Sequence, residues 1–287
     1  MKTYLFPGQG SQQVGMGKDL FPHFREQANT ASEILGYSIE DLCLLDSNQA
    51  LNNTSYTQPA IYVVSVLSYL KQQEENSEVP DFVAGHSLGE FTALFAAGMV
   101  TFETGLKLVQ KRGEIMETIK DGGMAAVIGL DETIIRNILL DNNIETIDLA
   151  NINSGSQIVI SGPKSEILKA KPIFETNGCQ MYVPLKVSGA FHSRYMEAAR
   201  QEFKKSLEAT EFSEPKIPII SNVTARPYQS GKYKEYLEQQ LTSPVRWADS
   251  MHYLIEKGPM DFFEIGPGTV LTRLIDALKK ESVVGYS

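Results

Sequence analysis

The middle of the chain alternates short strand-like and helix-like segments, and their order restricts the fold more than any other feature. After the pair Gly122-Gly123, apolar runs at residues 124–130, 147–151, 157–161 and 180–185 predict strands, and residues 132–140 and 165–176 have helical periodicity. The resulting order, β-α-β-β-α-β, is the split pattern of a ferredoxin-like unit. We therefore expect a small domain at residues 122–189, inserted into a larger domain formed by residues 1–121 and 190–287.

The flanking segments predict a larger domain of helices around a few short strands. Helical periodicity covers residues 58–70, 102–119 and 193–207, and apolar runs at residues 4–6, 82–84, 217–221 and 262–265 predict strands. The run at 82–84 leads through a glycine into another helical segment, so a strand, a sharp turn and a helix follow one another there. A last helix is predicted from about Val270. Together the two parts predict an α/β protein.

Composition and charge exclude several classes of protein. The 287 residues include 26 Lys and Arg against 35 Asp and Glu, and the net charge of −9 disfavours binding to nucleic-acid phosphates. Cys43 and Cys179 are isolated, so neither a disulfide framework nor a cysteine zinc site is expected. No stretch approaches the roughly 18 apolar residues of a membrane span, and the N-terminal apolar run is too short for a signal peptide. We expect a soluble, cytoplasmic protein that binds neither nucleic acid nor membrane.

Residues 85–89, GHSLG, match the pattern G-x-S-x-G, in which a serine occupies a strained turn between a strand and a helix. Such a turn exposes the hydroxyl of Ser87 and places the main-chain N–H of Leu88 at a helix N-terminus, where it can stabilise an oxyanion. Because the pattern fixes only three positions, a glycine-rich helix start capped by Ser87 is the alternative. The strand and the helix predicted on either side favour a nucleophile.

A serine nucleophile needs a general base, and the chain has four histidines. His86 adjoins the serine and should point away from it, while His23 and His252 lie in helical or polar surroundings typical of surface residues. His192 ends the segment VSGAFH at residues 187–192, between the last strand of the small domain and the next helix. A helix N-terminus there favours the neutral imidazole, which can accept a proton. His192 is the predicted base, and a purely structural loop histidine is the alternative.

Two further segments carry groups that could face the serine. The loop PGQGSQ at residues 7–12 lacks the third glycine of a dinucleotide-binding fingerprint, because that position is Gln13. It is either a loop whose N–H groups point into the site or a plain turn. Arg112 lies among apolar residues of a helix, and its two-pronged donor geometry fits a substrate carboxylate. The alternative is a solvated or structurally paired arginine.

Eight short motifs occur in order along the chain and together indicate a family. They are FPGQGSQ (6–12), TQPA (57–60), GHSLGE (85–90), KRG (111–113), GAFH (189–192), SNVTA (221–225), SPVRW (243–247) and EIGPG (264–268). Along essentially its whole length the sequence resembles the malonyl-CoA:acyl carrier protein transacylases of fatty-acid synthesis and the acyltransferases of polyketide synthases. The GAFHSRY segment is more similar to free-standing polyketide acyltransferases, and the end of the chain at residue 287 indicates a stand-alone enzyme.

The resemblance implies a fold and a catalytic centre. The fold is an α/β-hydrolase-like large domain with an inserted ferredoxin-like small domain, in agreement with the order of segments. The implied catalytic dyad is Ser87 and His192, with the histidine oriented by a main-chain carbonyl near Arg246 and not by an acidic side chain. The N–H groups of Gln9 and Leu88 would form the oxyanion hole.

The same resemblance implies how the substrate is held. Arg112 would bind the malonate carboxylate, and Gln58 and Asn153 match family positions that line the cleft. Phe191, directly before the histidine, is typical of malonyl-selective members, whereas a serine at that position usually accompanies branched extender units. These assignments predict a preference for malonyl over methylmalonyl.

The implied reaction is a double displacement through an acyl-serine, with no permanently bound cofactor and no metal. Ser87 would take malonyl from malonyl-CoA and pass it to the phosphopantetheine thiol of an acyl carrier protein, and we expect a monomer. The nearest alternative is an acyl hydrolase of the same fold that strips carrier proteins, but it would have no use for Arg112. An esterase would depend on Asp249 and His252. A catalytically silent scaffold is the third alternative, against which intact Ser87, His192 and Arg112 argue.

Overall fold

Two β-sheets of different type organise the chain. The computed structural model describes residues 1–284, and side chains as far as residue 281. The strands are β1 (Lys2–Phe6), β2 (Phe82–Gly85), β3 (Gly122–Ile128), β4 (Asp148–Ile152), β5 (Gln157–Pro163), β6 (Met181–Pro184), β7 (Ile219–Ile220) and β8 (Asp261–Glu264). Strands β7, β2, β1 and β8 form a parallel sheet in that order, and β4, β5, β3 and β6 form an antiparallel sheet.

Helices connect and cover these strands. They are α1 (Arg25–Leu35), α2 (Ile39–Leu44), α3 (Thr54–Glu75), α4 (Gly89–Ala96), α5 (Phe102–Thr118), α6 (Glu132–Asp141), α7 (Lys164–Thr176), α8 (Glu197–Glu208), α9 (Tyr233–Gln239), α10 (Trp247–Ile255) and α11 (Val270–Val284). Within residues 1–284, no helix combines the length and the apolar composition that crossing a membrane requires.

Strands β1, β2 and β7 of the parallel sheet are buried on both faces, because the helices that join parallel strands cover both sides, whereas the edge strand β8 is partly exposed. Side chains alternate along β1, so that Tyr4 packs in one hydrophobic core and Leu5 in another. Strands β1 and β2 are in register, with their last residues opposite each other. The loops that follow them, residues 7–12 and 86–88, therefore meet at the carboxyl edge of the sheet, where α/β proteins place their binding sites.

The antiparallel sheet has the β-α-β-β-α-β order that the sequence predicts. Helices α6 and α7 cover one face, where Val127 packs in the same core as Phe174. The opposite face carries Met124 and Val159, which pack with the core beside the parallel sheet. The predicted combination of a large α/β domain and a small ferredoxin-like domain is confirmed, whereas the exact bounds of the small domain, residues 122–189, stay a prediction.

Two predicted elements differ from the structure. Residues 193–207 form a 3₁₀ turn at Arg194–Met196 followed by α8, because the hydroxyl of Ser193 accepts a hydrogen bond from the N–H of Tyr195 and tightens the first turn. The strand expected at 217–221 has only two residues. Pro218 lacks an N–H for the sheet, and the chain turns back after β7 to form a hydrogen bond between residues 221 and 226.

Candidate active site

Ser87 lies on a sharp turn between β2 and α4, with its backbone in the left-handed region at a φ of 52°. Strain of this kind in a serine is characteristic of a nucleophile elbow. The turn needs glycine at Gly89, because a Cβ there would lie 2.0 Å from the carbonyl oxygen of Phe6. Asn222 clamps the turn from outside: its Oδ1 accepts from the N–H of Ser87 at 2.7 Å, and its Nδ2 donates to the carbonyl of Gly85 at 2.6 Å.

The structure brings His192 directly to the serine. Its Nε2 lies 2.8 Å from Oγ of Ser87, and its Nδ1 lies 2.8 Å from the main-chain oxygen of Gln240. A carbonyl oxygen only accepts, so Nδ1 carries the ring proton and Nε2 is free to accept the serine proton. Burial, reinforced by the charge of Arg112, lowers the pKa of His192 to about 3. The imidazole is therefore neutral at neutral pH.

The carbonyl that faces His192 is not the one predicted. The main-chain oxygen of Arg246 instead accepts hydrogen bonds from the N–H and the hydroxyl of Ser250 in the first turn of α10. The main-chain N–H of Arg246 donates to the main-chain oxygen of Asn222. The assignment to Arg246 is therefore wrong, because Gln240, just after the end of α9, supplies the acceptor. The acid that an esterase would need is also engaged elsewhere, since Asp249 pairs with the side chain of Arg246.

Two main-chain N–H groups border the space above the serine. Gln9 and Leu88 both line the cavity there, and neither N–H has an acceptor among the residues that the structure describes. The loop carrying Gln9 can come this close because Gly8 has no side chain, and a Cβ there would lie 2.3 Å from the carbonyl oxygen of His86. Two free donors beside a nucleophile are the arrangement that an oxyanion requires.

Arg112 extends from α5 to the serine and is almost completely buried, with 1% of its surface exposed. Its Nη1 donates to Oε1 of Gln58 at 2.7 Å, and its Nη2 donates to Oγ of Ser87 at 3.0 Å and to Oε1 of Gln240 at 2.9 Å. Burial lowers the pKa of Arg112 to about 10, which still leaves it charged. Within the described side chains no carboxylate forms an ion pair with this guanidinium, and its Nε is buried without a hydrogen-bond partner.

A cavity of about 290 Å³ lies over the serine, bordered by the loops that follow β1 and β2 and by the antiparallel sheet. The antiparallel sheet contributes Met124, Ala126, Val159 and neighbouring apolar side chains. Phe191 borders the same space, and its contact with a substrate stays a prediction. Across the side chains that the structure describes, no cluster of three or more His, Cys, Asp or Glu residues is arranged to hold a metal ion.

The two remaining predicted residues differ in how they reach the site. Asn153 lines the cavity, and its Oδ1 lies 2.9 Å from Nε2 of His86. Gln58 is fully buried behind Arg112 and meets the site through that arginine. Of the other two histidines, His23 pairs with Glu74 at the surface and the histidine at position 252 is exposed.

Three residues that complete the site were not singled out from the sequence. Asn222 and Glu90 lie within quoted motifs, SNVTA and GHSLGE, so their positions were visible but their contacts were not. Gln240 lies outside every motif and gives no sequence signal. Asn222 and Gln240 form hydrogen bonds with Ser87 although they lie more than 130 residues away in the chain. Glu90 lies one helical turn after the serine and accepts a hydrogen bond from Gln240.

The fold and the site together are those of a serine-dependent acyl-transfer enzyme, with a nucleophile elbow, a neutral histidine and two free N–H donors. Comparison with known proteins specifies the class. The acyl transferase domain family matches residues 3–285, and the chain belongs to this family.

Relatives of this chain are named for polyketide biosynthesis. The chain is 54% identical over 283 residues to the polyketide biosynthesis malonyl CoA-acyl carrier protein transacylase PksC of Bacillus subtilis, covering 98% of both chains. It is equally similar to the polyketide biosynthesis protein PksE of the same organism, over 98% of this chain but only 37% of the length of PksE. The predicted resemblance to transacylases of polyketide synthesis is confirmed.

Solved structures of transacylases have the same fold as this chain. The malonyl CoA-acyl carrier protein transacylase of Burkholderia pseudomallei superimposes with a TM-score of 0.93 at 45% identity, covering 98% of each chain. A malonyl-transacylase in complex with a type II polyketide synthase acyl carrier protein superimposes with a TM-score of 0.92 at 35% identity, covering 96% of this chain and 92% of that one.

Proposed function

We propose that the protein transfers malonyl from malonyl-CoA to the phosphopantetheine thiol of an acyl carrier protein, through a malonyl ester of Ser87. The observation that carries this proposal is the position of Arg112, whose Nη2 lies 3.0 Å from the serine oxygen without a carboxylate partner of its own. The free carboxylate of a malonyl thioester is separated from the reacting carbonyl by one methylene group. A buried cation beside the nucleophile is therefore placed to bind that carboxylate while the carbonyl carbon meets Oγ.

Acylation begins when Oγ of Ser87 attacks the thioester carbonyl and its proton passes to Nε2 of His192. The oxyanion of the tetrahedral intermediate is stabilised by the N–H groups of Gln9 and Leu88. The C–S bond then breaks, and the imidazolium returns its proton to the sulfur of coenzyme A. Because burial and Arg112 lower the pKa of His192, the imidazolium gives up this proton more readily than an ordinary histidine would.

Transfer to the carrier repeats these steps in reverse. The carrier thiol loses its proton to His192 as the sulfur attacks the ester, and Oγ of Ser87 regains a proton when the ester bond breaks. The Nδ1 bond to the carbonyl of Gln240 holds the imidazole in the required tautomer in both half-reactions. The named relatives and the carrier complex of a related transacylase support an acyl carrier protein as acceptor. A monomeric, cytoplasmic enzyme that binds neither nucleic acid nor membrane remains our prediction.

The experiment that tests the function follows the malonyl group from donor to acceptor. Incubation with labelled malonyl-CoA should give a malonyl-enzyme whose modified peptide contains Ser87, and adding a holo-carrier protein should move the label to the carrier. Ser87→Ala should abolish both products, because no other nucleophile is proposed. Label on the Ser87→Ala chain would refute the nucleophile, and release of free malonate in place of transfer to any carrier would favour an acyl hydrolase.

A further inference from the structure

A buried carboxylate lies one helical turn beyond the nucleophile and has no part in the steps above. Glu90 is 1% exposed, and its oxygens accept from the hydroxyl of Tyr228, from Nε2 of Gln240 at 2.5 Å and from the N–H of Asn222 at 3.4 Å. All these neighbours can be donors, which suits an ionised carboxylate that only accepts. Burial nevertheless raises the pKa of Glu90 to about 7.

Gln240 connects this carboxylate to the substrate side of the site. Its Nε2 donates to Glu90 and also to the carbonyl oxygen of Ser87 at 3.0 Å, which uses both of its hydrogens. Its Oε1 accepts from Nη2 of Arg112 at 2.9 Å. If the amide were turned over, its NH₂ group would face the guanidinium, donor against donor, and its oxygen would face a carboxylate. The contact with Glu90 therefore determines which end of the amide Arg112 meets.

The neutral charge of the amide matters for the arginine. The side-chain carbonyls that orient Arg112 belong to Gln58 and Gln240, and the carboxylate of Glu90 is separated from it by the side chain of Gln240. A carboxylate in direct contact would form a charge-assisted pair with the guanidinium and compete with an acidic substrate. The amide oxygens of Gln58 and Gln240 fix the direction of the N–H groups of Arg112 without neutralising its positive charge.

We propose that Glu90 and Gln240 are positioning residues that set selectivity for a carboxylate-bearing acyl group. Glu90 fixes the amide of Gln240, and Gln240 aims Arg112 at the site while leaving its charge for the substrate. The proposal rests on the proposed function, because it assumes that the substrate carboxylate is the direct ionic partner of Arg112. It extends the specificity machinery to two residues that do not touch the substrate.

The first test is Glu90→Gln, which changes a side chain that bonds to neither Ser87 nor Arg112. The new amide cannot accept at every position as the carboxylate does, so the amide of Gln240 loses its fixed orientation. Single-turnover acylation by malonyl-CoA should fall about tenfold to a hundredfold in kcat/KM, the effect of losing one well-oriented hydrogen bond to a charged group, and most of the fall should be in KM. Acylation by acetyl-CoA and inactivation by phenylmethanesulfonyl fluoride, which have no carboxylate, should change less than about threefold.

The second test asks whether Glu90 acts through Gln240. Gln240→Leu keeps the main-chain carbonyl that accepts from His192 and replaces the side-chain amide with an apolar group. It should lower the ratio of malonyl to acetyl acylation as Glu90→Gln does, and adding Glu90→Gln to it should lower the ratio no further, since coupled residues are not additive. Tyr228→Phe is the matched control. It removes a different donor to Glu90 and leaves the contact with Gln240, so the ratio should stay within about twofold.

The outcomes separate this inference from the proposed function. A wild-type enzyme that forms no malonyl-serine would refute the function itself. A wild-type enzyme that is acylated, with a ratio unchanged in folded Gln240→Leu or with fully additive effects in the double variant, would overturn the inference alone. Equal loss of malonyl, acetyl and sulfonyl fluoride reactivity would assign both residues a purely structural role. Circular dichroism identifies folded variants, and Gln240→Leu decides the question if Glu90→Gln does not fold.

Discussion

The two sheets border one cavity but contribute different kinds of group. The parallel-sheet region supplies the reacting groups, and two of the residues that carry them, Ser87 and His192, have left-handed backbones with φ values of 52° and 56°. The antiparallel sheet supplies mainly apolar side chains on regular strands, among them Met124 and Val159. Strained loops clamped by hydrogen bonds hold reacting atoms in one geometry, whereas a sheet face offers a surface of fixed shape.

This difference predicts two levels of sensitivity to mutation. A group that moves a proton or binds a charge loses much of its effect when its position changes by about 1 Å. An apolar wall contributes through the area and volume that it presents, so a change there should alter rates and selectivity only moderately. The predictions below test this contrast, in order of decreasing effect.

Replacing His192 by alanine should lower the rate of malonyl-enzyme formation by about 10² to 10⁴, the usual effect of losing a general base. Rapid-quench measurement of labelled enzyme gives the rate, with His252→Ala as a control at an exposed position. Because the pKa of His192 is about 3, inactivation of the wild type by phenylmethanesulfonyl fluoride should keep its rate as the pH falls through 6.5, where an ordinary histidine would be half protonated. A near-normal rate in His192→Ala would point to another base.

Replacing Arg112 by alanine should remove charge-assisted bonds worth about 1.5 to 3 kcal/mol each from the malonyl complex. Transfer from malonyl-CoA should therefore fall steeply, while transfer from acetyl-CoA should be unchanged or faster, and the malonyl-to-acetyl ratio should collapse. Arg112→Lys is the matched variant, because it keeps the positive charge but lacks the paired N–H donors of the guanidinium. It should recover only part of the malonyl-to-acetyl ratio. Equal decline with both substrates in a folded protein would show that Arg112 is a structural cation.

Phe191 should limit the space beside the α-carbon of the acyl group, because it borders the cavity and is itself 5% exposed. We expect malonyl to be preferred over methylmalonyl by about 1 to 3 kcal/mol, the value of one methyl group in an apolar pocket. Competition between the two thioesters measures this preference. Phe191→Ser should narrow it, and equal wild-type rates with both substrates would exclude the steric explanation.

The smallest effect is expected on the antiparallel side. Leu185 lines the cavity just after β6 and is 38% exposed, so Leu185→Ala removes part of a wall without disturbing a polar group. Malonyl transfer should change less than about threefold, with a loss of stability below about 1 kcal/mol. Met181→Ala, at the start of β6 and away from the cavity, is the control. A loss comparable to that of Arg112→Ala would contradict the division of roles between the two sheets.

Much of the architecture followed from local signals in the sequence. The periodicity of residues 122–189 specified the split β-α-β-β-α-β order, because side-chain alternation and helical spacing reflect backbone geometry over a few residues. The GHSLG turn was equally visible, since glycines at both ends are what a strained strand-to-helix turn requires. With four histidines in the chain, the position of His192 before a helix also singled out the residue that contacts Ser87.

The contacts around those residues depended on the tertiary structure. The sequence could not distinguish a solvated Arg112 from a buried one, and it indicated Arg246 where Gln240 supplies the carbonyl that faces His192. Nor did it show that Glu90, in the helix that follows the nucleophile, contacts the same glutamine. The reason is that a hydrogen bond tolerates a variation of only a few tenths of an ångström in its length. Residues 87 and 240, which are 153 positions apart in the chain, come within that tolerance only through the packing of the folded chain.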